Sequence, residues 1–280
     1  MTNGFILVHK EIGITSSRVV QTVKRKFQFK KVGHLGTLDP MATGLLILAI
    51  NRGTKFSSLL LESNKSYAAE VTLGEQTDTD DAEGEMLFTK LVTSSHNEIQ
   101  KELLSFLGSS LQQPPIYSAL KVKGKPMYKY AREGVAVEKA PRPIIIESIN
   151  NIVINLPKVS FEVICSKGTY IRSIARDLGN QLGCGGHLSG LIRLTQKDFS
   201  LADAKTVDEI TNRDIIPLEE VFTHLDSIQI SEDQLKNFIN GSAVNISAPK
   251  EGLVRTYNPL GEFIALGKMT AEGFKHEYLV

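Results

Sequence analysis

One stretch of the sequence decides how the rest of the chain is arranged: Gly33-His34-Leu35-Gly36-Thr37-Leu38-Asp39-Pro40-Met41-Ala42-Thr43-Gly44. The apolar run 45–50 follows it directly, which predicts a loop that feeds a buried strand. The three glycines tolerate backbone conformations that other residues avoid, and Pro40 biases Asp39 away from the helical region. The backbone therefore largely sets the direction of the Asp39 carboxylate, which makes this side chain a candidate for chemistry.

Length and composition indicate an ordinary globular protein. The chain has 280 residues, of which 41% are hydrophobic and 22% charged, enough for one larger domain and a small one. No apolar segment reaches the roughly 20 residues that span a bilayer, and the N-terminus lacks a signal-peptide pattern, so we expect a cytoplasmic protein. Cys165 and Cys184 form no close pair, which argues against a disulfide framework and a thiolate zinc site.

A formal net charge of +1 hides an uneven distribution of charge along the chain. Residues 1–67 carry ten Lys and Arg against three acidic residues, and residues 121–143 carry seven against two. Residues 75–102 carry eight acidic residues against two lysines. Two basic segments are therefore available to neutralise phosphates.

The first basic segment contains a predicted helix. Thr15, Ser16 and Ser17 are N-cap candidates, and apolar residues follow at helical spacing with basic residues around them. A solvated helix face and a phosphate-contacting face are equally good interpretations of these charges. Lys30, Lys31 and His34 continue the basic surface toward Asp39.

An acidic turn spans residues 77–85 and invites comparison with a calcium loop. Ala82 occupies the third ligand position and Glu83 the glycine position, so the calcium pattern fails. A metal-dependent hydrolase built on Asp78, Asp80 and Asp81 lacks a histidine and ordered ligand spacing. We interpret the segment as a polar turn and expect no metal.

The second basic segment begins at Pro114-Pro115 and interleaves tyrosines with lysines as far as Pro143. Such a pattern suits phosphate contacts and stacking on unpaired bases, although an exposed amphipathic helix over residues 127–133 is the alternative. We favour nucleic-acid binding. The weak periodicity predicts an excursion from the core.

Two predicted strands, 144–156 and 159–165, lead to a strand-to-helix junction at Ser166-Lys167-Gly168-Thr169-Tyr170-Ile171-Arg172-Ser173. Side chains at such junctions often line a cleft. Arg172 is either half of a surface ion pair or a fixed guanidinium that keeps a carboxylate ionised. Farther along, residues 206–225 predict another capped helix that begins at Thr206. A boundary near Asp226 precedes a small β-barrel-like unit.

Four motifs together resemble the TruB family of pseudouridine synthases, and the likeness covers essentially the whole chain. In order they are Gly36–Gly44, Lys65-Ser66-Tyr67, Ser166–Arg172 and Leu191-Ile192-Arg193-Leu194. The resemblance implies an α+β fold, with a catalytic domain at residues 1–225 around a mixed, largely antiparallel sheet. It also implies a thumb-like RNA-binding insertion at about 114–143 and a C-terminal PUA-like domain at 226–280.

The resemblance assigns roles to individual residues. Asp39 would be the catalytic carboxylate that attacks the target uridine, and Arg172 would pair with it. Substrate contacts would come from His34, Tyr67, Tyr170 and Leu191, and Lys55 would be a supporting residue. Leu35 and Ile192 depart from the family pattern, where Thr and Arg are common, but neither occupies a catalytic position.

The activity implied is isomerisation of uridine-55 to pseudouridine in the T-arm of tRNA, by base flipping and covalent catalysis. This reaction needs no cofactor and no metal, and the implied partner is tRNA, with no membrane and no obligate protein partner. The residues leave open whether the carboxylate attacks C6 of the base or C1′ of the ribose. The alternative function is a non-catalytic tRNA-binding or tRNA-folding protein.

Overall fold

The structure, a computed structural model, describes residues 2–135, 137, 139–249 and 251–280. The helices of these residues are α1 (Ser16–Lys26), α2 (Ser57–Leu61), α3 (His96–Leu104), α4 (Met127–Arg132), α5 (Ile171–Gln181), α6 (Leu218–Val221) and α7 (Glu232–Ile239). Their strands are β1 (Gly4–Lys10), β2 (Val32–His34), β3 (Thr43–Ile50), β4 (Lys65–Leu73), β5 (Glu75–Thr77), β6 (Met86–Thr89), β7 (Gly108–Gln112), β8 (Lys121–Val122), β9 (Lys125–Pro126), β10 (Arg142–Asn155), β11 (Lys158–Cys165), β12 (Gly186–Gln196), β13 (Phe199–Ser200), β14 (Ile216–Pro217), β15 (Ser227–Gln229), β16 (Leu253–Tyr257), β17 (Phe263–Thr270) and β18 (Gly273–Leu279).

The described residues build a ten-stranded sheet in the order β14-β1-β3-β12-β4-β11-β10-β7, with β2 beside β3 and β13 beside β12. β3 and β12 run parallel, and the other neighbouring pairs of this sheet are antiparallel. The predicted α+β class with a mixed, largely antiparallel sheet is confirmed.

Apolar side chains cover both faces of this sheet. α1, α3 and α5 bury their apolar sides on one face, where α1 contributes Val19, Val20 and Val23. Phe56, Leu60, Phe222 and Leu266 of β17 cover the other face. With both faces protected, the central strands form a rigid platform.

The parallel pair of β3 and β12 lies at the centre of the sheet and places distant residues side by side. Gly44 at the start of β3 is in register with Arg193 of β12, and Arg193 is also in register with Tyr67 of β4. The loop that carries Asp39 enters the sheet at this crossing.

Two excursions leave the main sheet. The acidic segment forms a hairpin of β5 and β6, and its turn bridges to Leu188 of β12 through Asp81. The basic segment between β7 and β10 forms a small hairpin of β8 and β9 followed by α4. The helix proposed over 127–133 is present as α4, and the segment leaves the main sheet as its weak periodicity predicted. Ala136 and Glu138 of this segment lie outside the described residues.

A second sheet occupies the C-terminal residues, in the order β15-β16-β17-β18 with α7 beside it. Its hydrogen-bonded strands form an open sheet with β15 and β18 at its edges, whereas the sequence predicted a barrel-like unit. The unit packs on the main sheet: the ring centroids of Phe56 and Tyr278 are 5.5 Å apart.

The helix predicted from Thr206 is wrong. The Thr206 backbone N–H and hydroxyl both donate to the Glu209 carboxylate, but these two hydrogen bonds close only a single turn. A new cap at Thr211 then begins a 3₁₀ turn that ends at Asp214, and strand β14 follows. The capping residues are present, but the segment that follows them is too short to continue as a helix.

None of the helices among the described residues has both the length and the apolar character that a membrane crossing requires.

Candidate active site

Asp39 lies on the loop between β2 and β3, and hydrogen bonds hold this loop from the α1 side. Ser16 accepts from the Leu38 N–H and donates to the Leu38 carbonyl, both at 2.9 Å. The Pro40 carbonyl accepts from the Gly13 N–H at 2.8 Å and from the Lys10 ammonium at 3.3 Å. Both neighbours of Asp39 are therefore fixed.

Arg193 holds the same loop from the sheet side. Its guanidinium donates to the carbonyls of Gly36 at 3.2 Å, Thr37 at 2.9 Å and Leu45 at 3.2 Å. The side chain is only 2% exposed. Gly44 has φ +104°, and a Cβ there would lie 2.4 Å from the Arg193 carbonyl oxygen. Close contact between the two strands thus requires glycine at position 44.

The Asp39 carboxylate forms an ion pair with Arg172. Their Oδ2 and Nε atoms are 2.9 Å apart. The other two guanidinium nitrogens of Arg172 donate to the carbonyls of Thr79 at 3.1 Å and Tyr117 at 2.9 Å. Asp81 adds a longer contact of 3.5 Å to Nη1. Of the two interpretations of Arg172, the structure shows a buried, fixed guanidinium beside a carboxylate.

The surroundings of Asp39 act on its pKa in opposite directions. Burial raises the pKa most strongly and the Asp81 charge raises it further, whereas Arg172 and Lys10 lower it. The net direction is upward. The carboxylate is nevertheless 31% exposed, so one side remains open to a ligand. A partly desolvated, oriented carboxylate is suited to nucleophilic or acid–base chemistry.

That open side faces a cavity of about 610 Å³. Its walls come from six parts of the chain: the Asp39 loop, Leu61 and β4, the acidic turn, the basic insertion, the junction before α5, and β12. The lining residues are Gly36–Pro40, Leu61, Lys65, Tyr67, Thr79, Asp81, Glu83, Tyr117–Ala119, Tyr128, Arg132, Arg142, Lys167–Arg172, Leu191 and Arg193.

Tyr67 and Leu191 supply the apolar part of this wall. Tyr67 is buried on β4, and Arg193 lies over its ring with Cζ 5.6 Å from the ring centroid. Burial raises the pKa of the Tyr67 hydroxyl, and the Arg193 charge opposes that rise. Leu191 stands on β12 in register with Ala69. A flat ring and a branched aliphatic chain can hold a planar base between them.

Tyr170 is the N-cap residue of α5, and the Gln112 amide fixes its backbone. Gln112 donates to the Tyr170 carbonyl at 3.0 Å and accepts from the Tyr170 N–H at 2.8 Å. The guanidinium of Arg142 lies over the Tyr170 ring at 4.6 Å. The ring is therefore held at the cavity wall from two sides.

His34 and Lys55 do not line the cavity. His34 stands on β2, and burial, aided by the Arg193 charge, lowers its pKa, which favours the neutral imidazole. Lys55 follows β3 and donates to the Leu279 carbonyl at 3.2 Å, which joins it to the last strand.

Sequence reasoning missed several lining residues. The acidic turn packs against the site through buried Asp81, whose carboxylate accepts from Thr79 at 2.6 Å, instead of standing free in solvent. Arg142, Lys167 and Arg132 add positive charge to the cavity wall. Their charge was visible in the sequence, but their convergence depends on the fold. Among the described residues, no three His, Cys, Asp or Glu side chains are grouped as a metal site.

Family models match most of the chain. Residues 24–171 match the TruB family pseudouridylate synthase N-terminal domain, and residues 227–274 match the C-terminal domain of pseudouridine synthase II TruB. The first match contains Asp39 and Tyr67, and it ends one residue before Arg172.

Similar proteins extend over nearly the full length. The tRNA pseudouridine synthase B of Alkaliphilus oremlandii is 40% identical, over 99% of this chain and 96% of the relative. That of Clostridium acetobutylicum is 40% identical, over 98% of each chain. The solved structure of a Cbf5-Nop10-Gar1 complex contains a chain with a TM-score of 0.70 and 24% identity, over 99% of this chain and 84% of the other, which shows a shared fold. On these matches, the chain belongs to the TruB family of pseudouridine synthases.

Proposed function

We propose that the chain converts uridine-55 in the T-arm of tRNA to pseudouridine, with Asp39 as the nucleophile. The observation that carries this proposal is the 2.9 Å ion pair between Asp39 and Arg172 at the wall of the cavity. The relatives that are 40% identical are each named tRNA pseudouridine synthase B, which supplies the substrate class. Members of this family act on RNA.

The reaction breaks the C1′–N1 bond, turns the freed base and forms a C1′–C5 bond, with no net redox change and no group lost. A carboxylate nucleophile divides this exchange into two easier steps, whether it attacks C6 or C1′. Arg172 favours the ionised carboxylate and fixes its direction. The chain's own side chains therefore supply the required chemistry.

The cavity receives the target base after it leaves the helical stack. Base flipping costs about a few kcal/mol, which contacts in the pocket must offset. In this proposal Tyr67 stacks on the base, Leu191 packs against it, and Tyr170 lies beside it. We further propose that His34 contacts the flipped nucleotide from β2, outside the cavity lining, and that Lys55 acts as a supporting residue.

The two basic regions would bind the rest of the RNA. We propose that residues 1–225 form the catalytic domain, that the insertion at about 114–143 grips the T-arm, and that residues 226–280 form a PUA-like RNA-binding domain. Tyr128 and Arg132 of the insertion already reach the cavity, with Cζ of Arg132 5.6 Å from the Tyr128 ring centroid. We further propose that the protein acts in the cytoplasm without an obligate protein partner.

Tritium release tests this function directly. A T-arm stem-loop labelled at C5 of its uridines loses tritium to water when pseudouridine forms, because C5 gives up its hydrogen. We expect release by the wild-type protein and none by Asp39→Asn, with RNA affinity nearly unchanged. Tight RNA binding without tritium release by the wild type would instead establish the non-catalytic alternative.

A further inference from the structure

Two buried cations, Lys65 and Arg193, line the cavity without a carboxylate partner. Lys65 is 9% exposed and Arg193 is 2% exposed. Among the described residues, the ion pairs within 4.0 Å include neither of them. By contrast, Asp39 and Asp81 both lie beside Arg172. The cavity thus has one side whose carboxylates lie beside a guanidinium and another side whose cations lie beside no carboxylate of the described residues.

The cations stand close together around Tyr67. Lys65 and Tyr67 are two residues apart on β4 and share one face of the sheet, and Arg193 is the register partner of Tyr67. A methyl group placed on Gly36 would lie 3.7 Å from both Lys65 Cε and an Arg193 nitrogen. Burial, with the Arg193 charge added, lowers the pKa of Lys65 to about 8.

Both groups retain hydrogen-bond donors for a ligand. The Lys65 ammonium has three N–H bonds, and the described residues supply two acceptors, the carbonyls of Ser63 at 2.9 Å and Leu61 at 3.3 Å. The Arg193 Nε is buried without a partner among the described residues, whereas its Nη atoms donate to three loop carbonyls and its guanidinium interacts with the Tyr67 hydroxyl. Burying charge without a counter-charge is unfavourable, so these cations cost stability in the unliganded protein.

We propose that Lys65 and Arg193 stabilise the negative charge that the uracil base acquires during the reaction. The inference rests on the proposed function and adds to it two cations of the cavity wall that act on the base. Positive charge that is fixed before the reaction, in a site with little water, is an effective way to lower such a barrier.

Both routes of attack place negative charge on the base. If the carboxylate adds to C6, the electron pair of the C5–C6 double bond moves onto the C4 carbonyl oxygen as an enolate. If it attacks C1′, the C1′–N1 bond breaks and its electron pair stays on the base as a uracil anion. In the C6 route the C1′–N1 bond then breaks, C5 bonds to C1′, and the C6–O bond to the carboxylate breaks; in the C1′ route C5 bonds to C1′ as the C1′–O bond to the carboxylate breaks. In both, C5 loses its proton, N1 takes one up, and the carboxylate is released. No oxidant, reductant or further reactant is consumed.

Phosphate is the other anionic group that the RNA would bring. Arg132 is exposed at the mouth of the cavity, and Lys167 is paired with Glu62 at the surface, so phosphates can meet positive charge without entering. Lys65 and Arg193 are buried behind the Asp39 loop. Because Lys65 and Arg193 lie deep in the cavity, they are better placed to contact the flipped base than the phosphates of the RNA backbone.

The test compares single-turnover rates and RNA dissociation constants of charge variants on a T-arm stem-loop. We expect Lys65→Met to slow pseudouridine formation about 100-fold, the size seen when one group that stabilises an oxyanion is removed. RNA affinity should be unchanged. Arg193→Lys should also lower the rate. Lys158→Met is the matched control, because Lys158 is 57% exposed on β11 and pairs with Glu70 outside the cavity.

A pH profile gives a second readout that does not depend on the stability of the Met variant. Lys65 loses its proton above a pKa of about 8, so the wild-type rate should fall as the pH rises through that value. Lys65→Arg keeps its charge and should lack this fall. Besides Arg193, Lys65 faces the Cys165 thiol of β11, whose pKa burial raises to about 11.

Lys10, whose ammonium donates to the Pro40 carbonyl beside Asp39, also has a pKa of about 8, so Lys10→Arg is measured in parallel. If the fall disappears in Lys10→Arg and persists in Lys65→Arg, the inference is overturned. A loss of RNA affinity at an unchanged rate in Lys65→Met also overturns it, since the pair would then bind phosphate. A wild-type protein that forms no pseudouridine refutes the proposed function itself.

Discussion

The guanidinium of Arg172 lies 2.9 Å from the Asp39 carboxylate and at the same time joins two other parts of the chain. It donates to Thr79 in the acidic turn and to Tyr117 in the basic insertion. Arg172 itself lies in the first turn of α5. The direction of the Asp39 carboxylate is thereby tied to the position of the segment that we propose to grip the RNA.

Replacing Arg172 should shift the pH dependence of the reaction. The nucleophile must be ionised, burial already raises the pKa of Asp39, and Arg172 opposes that rise. Arg172→Met should therefore move the rising limb of the single-turnover rate to higher pH by about 1 to 3 units. The rate near neutrality should fall accordingly.

Arg176→Met is the matched control, because Arg176 stands one turn later on α5 and pairs with Asp80 and Asp177. The rising limb of the pH–rate profile of Arg176→Met should coincide with that of the wild type. A limb in Arg172→Met that coincides with the wild type would show that Arg172 does not govern ionisation of Asp39.

Gly44→Ala should destabilise the protein and misplace the Asp39 loop. The new Cβ would lie 2.4 Å from the Arg193 carbonyl oxygen and 2.7 Å from its nitrogen, both backbone atoms of the neighbouring strand. Strained φ and overpacking together should lower the free energy of unfolding by more than about 2 kcal/mol. Urea unfolding measures the loss.

Gly108→Ala separates the two causes. Gly108 also has a positive φ, +91°, but a Cβ there would meet nothing within 4 Å. It should lose only the conformational part, about 1 to 2 kcal/mol. Equal losses in the two variants would mean that β3 and β12 can separate at no cost.

Elements defined by local chemistry were predictable from the sequence. Ser95 and Glu98 form the capping box that begins α3, and the alternating apolar residues of β4 are buried as their spacing indicates. These signals lie within a few residues of one another. The same local reasoning failed at Thr206, because a cap fixes where a helix starts and not how far it continues.

The site was predictable only where a motif carried it. Asp39 stood out because glycines and a proline surround it, whereas Arg193 lay in a quoted motif that gave it no role. Arg193 acts through carbonyls that lie 148 to 157 positions earlier in the chain, brought beside it by the parallel pairing of β3 and β12. The burial of Asp81 also depends on a distant part of the chain, because Asp81 pairs with Leu188 of β12. Contacts between residues so far apart in the sequence follow from the topology of the sheet and not from local residue spacing.

The lysines of the insertion should contribute to RNA affinity through charge. Lys121, Lys123 and Lys129 are exposed, and no acidic side chain among the described residues forms an ion pair with them. Each one that contacts a phosphate should reduce the slope of log K against log salt by about 0.7 to 0.9 when replaced by Ala. Filter binding over a range of salt concentrations measures the slope.

Lys90 and Lys101, exposed lysines of the acidic segment, provide the control. Their Ala variants should keep the wild-type slope. An unchanged slope in the triple variant of the insertion would assign its lysines to a solvated surface.

Gln112→Leu should lower the rate of pseudouridine formation by releasing Tyr170. The Gln112 amide makes two hydrogen bonds to the Tyr170 backbone, and the Gln112 side chain is itself buried. Losing both leaves a buried N–H and a carbonyl unpaired, which should cost about 1 to 3 kcal/mol in the free energy of unfolding.

The rate should fall more than stability alone explains, because Tyr170 then no longer holds a fixed position beneath Arg142. Gln113→Leu is the neighbouring control: its amide donates to the Lys139 carbonyl of the insertion, at an exposed site. Thermal unfolding and single-turnover kinetics on the same samples separate the two effects. If Gln112→Leu loses stability but reacts at the wild-type rate, Tyr170 does not need its backbone anchor to serve the reaction.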